Sequence, residues 1–289
     1  MRPFRYECPR TLAAAIDLLV AGGAAASPLA GGTDLIIGLR DGTIRPDVVV
    51  DVKGIDEIEA GIRQEADRLV IGGRAVMEDI ARDARVRRDF TALAEAASVV
   101  GSVQIRNRAT LAGNICNASP AADTSPALLV YGAVVVAVGP AGTRRIPIDD
   151  FFTGPGLTVL TAGELVTAIE LPLPAGRRGA VHVRRTRRRG HDLASVTLAC
   201  ASLEGGRVWL AYGSVGPRPL LVADDSGVLA DADATPAARI AVLEPLLAAA
   251  SPSPRSMRAS PEYRLAMLRV LALRAVDIAN GRLADGLTP

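Results

Sequence analysis

The chain is poor in the residues that build metal centres and disulfide frameworks. Its 289 residues include three cysteines, Cys8, Cys116 and Cys200, and two histidines, His182 and His191. The cysteines lie far apart and form no Cys-x-x-Cys pair, which argues against a disulfide framework and a four-cysteine metal site. Two histidines are too few for a histidine-rich metal site, which leaves only carboxylates as a source of metal ligands.

Long apolar segments and familiar nucleotide motifs are absent as well. No stretch reaches the roughly 18 uncharged apolar residues of a membrane-spanning helix. Residues 1–10 lack the apolar core of a secretory signal, so we expect a cytoplasmic protein. The chain has no GxGxxG, GxxxxGK[ST] or GxSxG motif, which argues against a Rossmann dinucleotide site, a P-loop and the nucleophile elbow of a hydrolase. A net charge of +2 gives no indication of a nucleic-acid partner, and we expect none.

The apolar patterning predicts an α+β fold built mainly from Ala, Val, Leu and Ile, because aromatics make up only 3% of the chain. A Pro/Gly/Arg-rich segment at 172–179 is the best domain boundary. Apolar runs predict strands, and periodic segments predict helices. The expected strands are 48–52, 68–72, 133–138, 164–171, 180–184, 194–202 and 208–215. The main expected helices are 12–21, 76–81, 90–99, 236–249 and 260–281, the last with Leu268, Leu271, Ala275 and Ile278 on its buried face.

Two glycine-containing turns are the first candidates for a binding site. One is Ala30–Asp34 (AGGTD), and the other is Thr110–Asn114 (TLAGN). Both expose consecutive backbone N–H groups with little side-chain cover, which is the arrangement that binds phosphate and other anions. The alternative is that both are ordinary turns. A pair of such turns, each flanked by Thr and by Asp or Asn, favours a shared anionic ligand.

A second candidate is the small, polar run NASPAAD, which contains Asn117, Ser119 and Asp123. Asp123 or Ser125 can cap the following helix, in which Pro126 suits the first turn. The functional alternative for Asp123 is to accept a hydrogen bond from a ligand hydroxyl.

The third candidate is RRTRRRGHD, from Arg184 to Asp192, with five arginines in six positions. A solvated basic hairpin, an anion site and a docking face for an acidic partner all fit this composition. Side chains alternate between faces on a strand, so at least two arginines are expected to point toward the first domain or a partner.

Taken together, AGGTDL, QIRNRATLAGNICNASPAAD, ELVTAIELP, RRTRRRGHDLASV and GSVGPRP occur in the order and spacing of a known family. The chain closely resembles the FAD-binding medium subunit of molybdenum hydroxylases, of the xanthine dehydrogenase and aerobic carbon monoxide dehydrogenase type. The resemblance implies an FAD-binding domain of the vanillyl-alcohol-oxidase-like type at 1–174, with subdomains at about 1–55 and 56–174. It also implies a C-terminal flavoprotein domain at 175–289, formed by a three-stranded sheet and helices.

The resemblance also assigns a cofactor site, with no catalytic residue and no metal ligand. Its first loop wraps the FAD pyrophosphate, and Asp123 matches the acidic residue that holds the ribityl or ribose region. Val100, Val166 and Arg184 match positions beside the flavin ring. Two departures stand out, since Ala112 replaces a common glycine and Val100 replaces an aromatic. The implied cofactor-binding residues are Pro28, Leu29, Ala30, Gly31, Gly32, Thr33, Asp34, Leu35, Val100, Thr110, Ala112, Gly113, Asn114, Cys116, Ser119, Asp123, Val166 and Arg184.

The resemblance further implies partners that this chain itself does not contain. A large subunit would carry the molybdenum cofactor and a small subunit two [2Fe–2S] clusters, from which FAD receives electrons. The flavin would then reduce an external acceptor, which is NAD, a quinone or dioxygen. Two alternatives are a stand-alone FAD-dependent oxidoreductase acting on a small molecule and a binding module that has lost its cofactor. The intact loops argue against the second alternative.

Overall fold

The computed structural model describes residues 1–188 and 190–286, and it begins with a small parallel sheet. Strands β1 (Arg5–Glu7), β2 (Ala26–Leu29) and β3 (Val48–Asp51) lie in the order β1-β3-β2. Helix α1 (Leu12–Gly22) joins β1 to β2, and the Thr11 hydroxyl caps it by accepting the Ala14 N–H at 3.2 Å. Helix α2 (Leu35–Asp41) follows β2. Every residue of β3 is buried, as the apolar run at 48–52 predicts.

The second sheet has five antiparallel strands in the order β4-β5-β10-β6-β7. They are β4 (Ile62–Glu65), β5 (Arg68–Gly72), β6 (Val134–Gly139), β7 (Gly142–Pro147) and β10 (Leu165–Pro172). Helix α9 (Ile148–Phe151) and the hairpin β8 (Phe152–Gly154) and β9 (Leu157–Thr158) precede β10. Six short helices lie between β5 and β6: α3 (Met77–Arg82), α4 (Ala84–Asp89), α5 (Thr91–Ser98), α6 (Val103–Arg106), α7 (Leu111–Cys116) and α8 (Thr124–Val130).

The third sheet has four antiparallel strands, where three were expected. They are β11 (Arg178–Arg185), β12 (Val196–Leu203), β13 (Val208–Gly213) and β14 (Leu220–Asp224), in that order. The sequence analysis missed β14, an edge strand that follows two prolines. Four of its five residues are half-buried. The strand therefore lacks the alternation of apolar and polar residues by which a strand is identified. Helices α10 (Pro236–Leu247) and α11 (Pro261–Ala284) complete this part of the chain.

Both faces of the third sheet are buried, and the two faces differ in residue size. Ala199 and Ala201 of β12 belong to the core of the five-stranded sheet. Leu198 and Cys200 belong to a separate core with α10 and α11. Because side chains alternate along a strand, β12 presents small residues toward the preceding helices and bulkier residues toward α11. Alanine on the first face allows the sheet to lie close to α5 and α8.

The buried face of α11 differs by one residue from the predicted face. Leu268, Leu271 and Ala275 are buried as expected, but Ile278 is 40% exposed. The face continues instead through Ala279, which is fully buried. Gly179 of β11 explains this choice, because a Cβ there would overlap the Ala279 carbonyl oxygen. The close approach of helix and strand selects small residues along the line of contact.

We expect Leu268→Ala to lower the free energy of unfolding by about 2–5 kcal/mol, since it creates a cavity in a fully buried position. The matched control is Ile278→Ala on the same helix, which should change stability by no more than about 0.5 kcal/mol. Urea unfolding followed by the fluorescence of the single tryptophan, Trp209 on β13, measures both. Equal losses in the two variants would contradict the assigned face.

Candidate functional site

The first glycine-containing turn packs directly against the residues that lead into the second. A Cβ added to Gly31 would overlap the carbonyl group of Arg108 and approach the Cα of Ala109. Two backbone hydrogen bonds fix the chain at 109–111. The Met77 N–H donates to the Ala109 carbonyl at 2.9 Å, and the Leu111 N–H donates to the Ala75 carbonyl at 3.3 Å. The missing side chain of Gly31 therefore sets the distance between the turns.

The first turn presents a row of free backbone amides. Gly32 has φ +76°, and the Ile36 N–H donates to its carbonyl at 3.0 Å. Within the described residues, the N–H groups of residues 30–35 donate to no protein acceptor. Asp34 stands at the start of α2 without a capping hydrogen bond from its side chain. The turn is thus a cradle of unpaired donors, which matches the predicted anion site in chemistry.

The second turn is a short helix rather than an open loop, which corrects the expectation for TLAGN. Thr110 is its N-cap, and its hydroxyl accepts the Gly113 N–H at 3.0 Å. Ala112 lies buried inside α7, where glycine is not required. Asn114 is oriented by Thr124, whose hydroxyl donates to Asn114 Oδ1 at 2.6 Å. Helix α7 thereby connects the amide cradle to the start of α8.

Two further predicted site residues in this region have structural partners. Ser119 Oγ accepts the Ala121 N–H at 3.3 Å, which stabilises the turn of the NASPAAD run. Cys116 packs against the core of the five-stranded sheet. Burial raises the pKa of the Cys116 thiol to about 12, so the thiol stays protonated near neutral pH and is no nucleophile.

Asp123 does not cap α8, which corrects the alternative considered for it. Its carboxylate is buried and accepts a hydrogen bond from Arg184 Nη1 to Oδ2 at 2.6 Å. His182 Nε2 lies 3.3 Å from the other oxygen, Oδ1. Oδ1 itself makes no hydrogen bond of good geometry with the described residues. A buried carboxylate oxygen of this kind is an acceptor available to a ligand hydroxyl. The hydroxyl of Ser125, the other proposed cap, is also buried without a partner.

Arg184 lies at the end of β11 and is held by three groups. Besides Asp123, it donates to the Val99 carbonyl at 3.2 Å and to the Asp192 carbonyl at 3.0 Å. The contact with Val99 places the guanidinium beside the half-buried Val100, so these two predicted ring positions are neighbours. Val166 is buried next to a bulge in β10 and packs in the core of the five-stranded sheet. The contact of Val166 with the ring stays a prediction.

The arginine-rich stretch is mostly a loop rather than a strand. Only Arg184 and Arg185 lie on β11, and Arg185 turns the other way, donating to the Tyr263 hydroxyl at 2.8 Å. Arg187 is exposed, and its N–H donates to Asp192 Oδ2 at 3.0 Å. Arg189 lies outside the described residues. Among the described arginines of the run, Arg184 contacts the first domain, and contact of the others with a partner stays a prediction.

The sequence analysis missed two contributors to this site. His182 shares the face of β11 that carries Ala180 and Arg184, and the spacing of two residues could have identified it. The GSVGPRP segment supports the NASPAAD run through a backbone hydrogen bond, in which the Ser214 N–H donates to the Pro120 carbonyl at 2.6 Å. No local pattern signals that contact, since it joins residues far apart in the chain.

These features fit a dinucleotide better than a metal ion. Across residues 1–188 and 190–286, no three His, Cys, Asp or Glu side chains are grouped to hold a metal ion. The same residues form no helix that is both long and apolar enough to cross a membrane. The amide cradle suits a diphosphate, and the free oxygen of Asp123 suits a sugar or ribityl hydroxyl. The residues present therefore fit FAD.

We expect Gly31→Ala to weaken FAD binding by about tenfold or more, because the new methyl group would push the Arg108 backbone away and cost at least one charge-assisted hydrogen bond. The control is Gly61→Ala, whose added Cβ would meet no atom within 4 Å. Fluorescence titration of the apoprotein with FAD measures both affinities. Wild-type affinity in the Gly31 variant would refute the role of the junction between the turns.

Comparison with known proteins finds relatives that match nearly the whole chain. Residues 2–174 match the family described as the FAD binding domain in molybdopterin dehydrogenase. Residues 182–279 match the CO dehydrogenase flavoprotein C-terminal domain. The xanthine dehydrogenase FAD-binding subunit of Escherichia coli O157:H7 is 33% identical, with 96% of this chain and 98% of that protein covered.

Carbon monoxide dehydrogenases are similar in sequence and in structure. The medium chain from Hydrogenophaga pseudoflava is 30% identical, with 97% of this chain and 98% of that protein covered. A solved structure of the enzyme from that organism, lacking the Mo-pyranopterin moiety of the molybdenum cofactor, superimposes with a TM-score of 0.89, covering 98% of this chain and 100% of that one. The chain therefore belongs to the FAD-binding medium subunits of molybdopterin dehydrogenases, of the xanthine dehydrogenase and carbon monoxide dehydrogenase type.

Proposed function

We propose that the FAD of this chain accepts electrons from [2Fe–2S] clusters of a small partner subunit and passes them to an external acceptor. A large partner subunit with a molybdenum cofactor would oxidise the substrate. The names of the relatives support this arrangement, since one is a FAD-binding subunit and another a medium chain. The substrate is then chosen outside this chain.

The observation that carries the proposal is the cradle of unpaired amides at residues 30–35. Each hydrogen bond to a charged diphosphate contributes about 1.5–3 kcal/mol, so several hold the group without a lysine. From the cradle, α7 leads roughly 6 Å along its axis from Thr110 to Asn114. Asn114 contacts Thr124, which adjoins Asp123. We infer that FAD extends along this line toward the Asp123–Arg184 pair.

In this proposal each residue binds, orients or shields the cofactor. Bound FAD supplies the redox chemistry itself. Residues 28–35 hold the diphosphate, and Asp123 accepts a ribityl or ribose hydroxyl. Val100, Val166 and Arg184 shape the ring site, Thr110, Gly113 and Asn114 form the second phosphate-binding segment, and Ala112, Cys116 and Ser119 complete the cofactor site. We place the FAD-binding domain at 1–174 and the C-terminal domain at 175–289, which the ranges matched by the two family models support.

The main experiment is to purify the tagged chain from its own host. We expect two further chains to copurify, one with the electron paramagnetic resonance signal of reduced [2Fe–2S] clusters and one containing molybdenum. Substrate added to this complex should bleach the FAD absorption band, and NAD, a quinone or dioxygen should each be tested for restoring it. A chain that purifies alone and oxidises a small molecule with its own flavin would instead establish the stand-alone alternative.

A second prediction concerns Arg184, whose positive charge we propose stabilises the reduced, anionic flavin. Arg184→Ala should lower the flavin midpoint potential and slow reduction by the partner. It should also lower the free energy of unfolding, because removing one partner of a buried ion pair costs about 3–5 kcal/mol and leaves Asp123 uncompensated. Spectroelectrochemical titration measures the potential.

The matched variant is Arg184→Lys, which keeps the charge and should retain both FAD and most of the midpoint potential. An unchanged potential and an unchanged reoxidation rate in Arg184→Ala would show that the guanidinium does not act on the flavin. Arg187→Ala serves as the control for general charge effects, since Arg187 is an exposed arginine of the same stretch.

A further inference from the structure

His182 is a buried histidine that the proposed function does not yet use. Its side chain is 3% exposed, and that of Asp123 is 8% exposed. Nε2 lies 3.3 Å from Asp123 Oδ1 and 3.0 Å from the hydroxyl oxygen of Thr197 on the neighbouring strand. The His182 ring therefore lies between Thr197 of β12 and the carboxylate of Asp123, which we assign to a ligand hydroxyl.

The two oxygens around Nε2 determine where the ring proton lies. A carboxylate paired with an arginine is ionised and can only accept hydrogen bonds. A bare Nε2 lone pair facing Asp123 Oδ1 would be repelled, whereas an Nε2–H group is attracted to both Oδ1 and Thr197 Oγ1. The geometry thus assigns the proton to Nε2, which donates to Thr197 Oγ1 and lies 3.3 Å from Oδ1 without a hydrogen bond of good geometry to it.

Charged groups from neighbouring elements surround His182. The His182 N–H donates to Glu95 Oε2 of α5 at 2.8 Å, and Arg282 of α11 donates to Glu95 Oε1 at 2.6 Å. Arg184 on the same strand neutralises Asp123. Two ion pairs therefore lie next to His182, and the hydrogen bond to Glu95 fixes its backbone.

We propose that His182 is a positioning residue of the cofactor site, whose Nε2–H holds the Asp123 carboxylate in the orientation that keeps Oδ1 available to a hydroxyl of FAD. Arg184 fixes Oδ2 from one side, and His182 guides Oδ1 from the other. The inference rests on the proposed function, because it takes FAD as the ligand of Asp123. It adds a residue that acts on the Asp123 carboxylate and not on the flavin ring.

The test compares His182→Leu, which removes the donor, with His182→Gln, which keeps an N–H donor at similar reach. Fluorescence titration with FAD should give about tenfold weaker binding for the leucine variant. The glutamine variant should stay within about threefold of the wild type. His191→Gln, which changes the other histidine of the chain, should bind FAD as the wild type does. Equal affinity of the leucine variant and the wild type would overturn the inference.

Nitrogen NMR of the histidine rings gives a readout that does not depend on how the variants fold. The chain has two histidines, so His191→Gln assigns both sets of signals. We expect the Nε2–H form for His182 in the apoprotein and a change of its signals, but not those of His191, when FAD is added. The Nδ1–H form, or a His182 signal unaffected by FAD, would overturn the inference.

Asp123→Asn separates this inference from the proposed function. If Asp123→Asn weakens FAD binding and His182→Leu does not, His182 is no positioning residue and the assignment of Asp123 stands. If the wild-type chain binds no FAD at all, the proposed function fails with it. Parallel losses in Asp123→Asn and His182→Leu, with rescue by His182→Gln, support both.

Discussion

The site depends on one buried carboxylate. Asp123 lies almost out of contact with water, and an ionised side chain in that environment requires a compensating charge. The charge comes from Arg184, which belongs to the C-terminal sheet. Neither part of the chain can complete this region alone, because the acid is placed by α8 and the base by β11. The ion pair is thus also a contact between the two domains of the family.

Strand β11 acts as the organising element of that contact. Its face toward the first domain carries, at every second position, Arg178, Ala180, His182 and Arg184. The Arg178 guanidinium lies 4.8 Å from the ring centre of Phe90 and 4.4 Å from that of Tyr131. Burial lowers the pKa of Arg178, and the two aromatic faces offset part of the cost of burying its charge. Packing at one end of the strand and polar contacts at the other together fix its position.

Local patterns predicted much of this structure. The apolar run at 68–72 became β5 with the same bounds, and the Thr11 cap and the five main helices were found close to where periodicity placed them. The two glycine-containing turns were identified because they expose backbone N–H groups with little side-chain cover. What local patterns could not reveal were the contacts between distant segments. The overlap at Gly31 involves Arg108, and the burial of Asp123 involves Arg184, so neither is encoded within one stretch.

The same limit explains the errors. Ile278 fits the helical period, yet Ala279 is buried instead, because Gly179 brings the strand too close for a larger side chain. Asp123 stands where a helix cap is common, yet its Oδ2 accepts a hydrogen bond from a distant arginine and its Oδ1 lies beside a distant histidine. In each case the local preference was reasonable, but a stronger tertiary interaction decided the outcome.

The alanine face of β12 has a consequence for how the cofactor is reached. Since Ala199 and Ala201 share one continuous core with the five-stranded sheet, separating the two parts would expose that core to water. Opening a hinge between these two parts would therefore cost too much free energy to give access to the cofactor site. FAD must therefore enter its site while these two parts of the chain stay packed together.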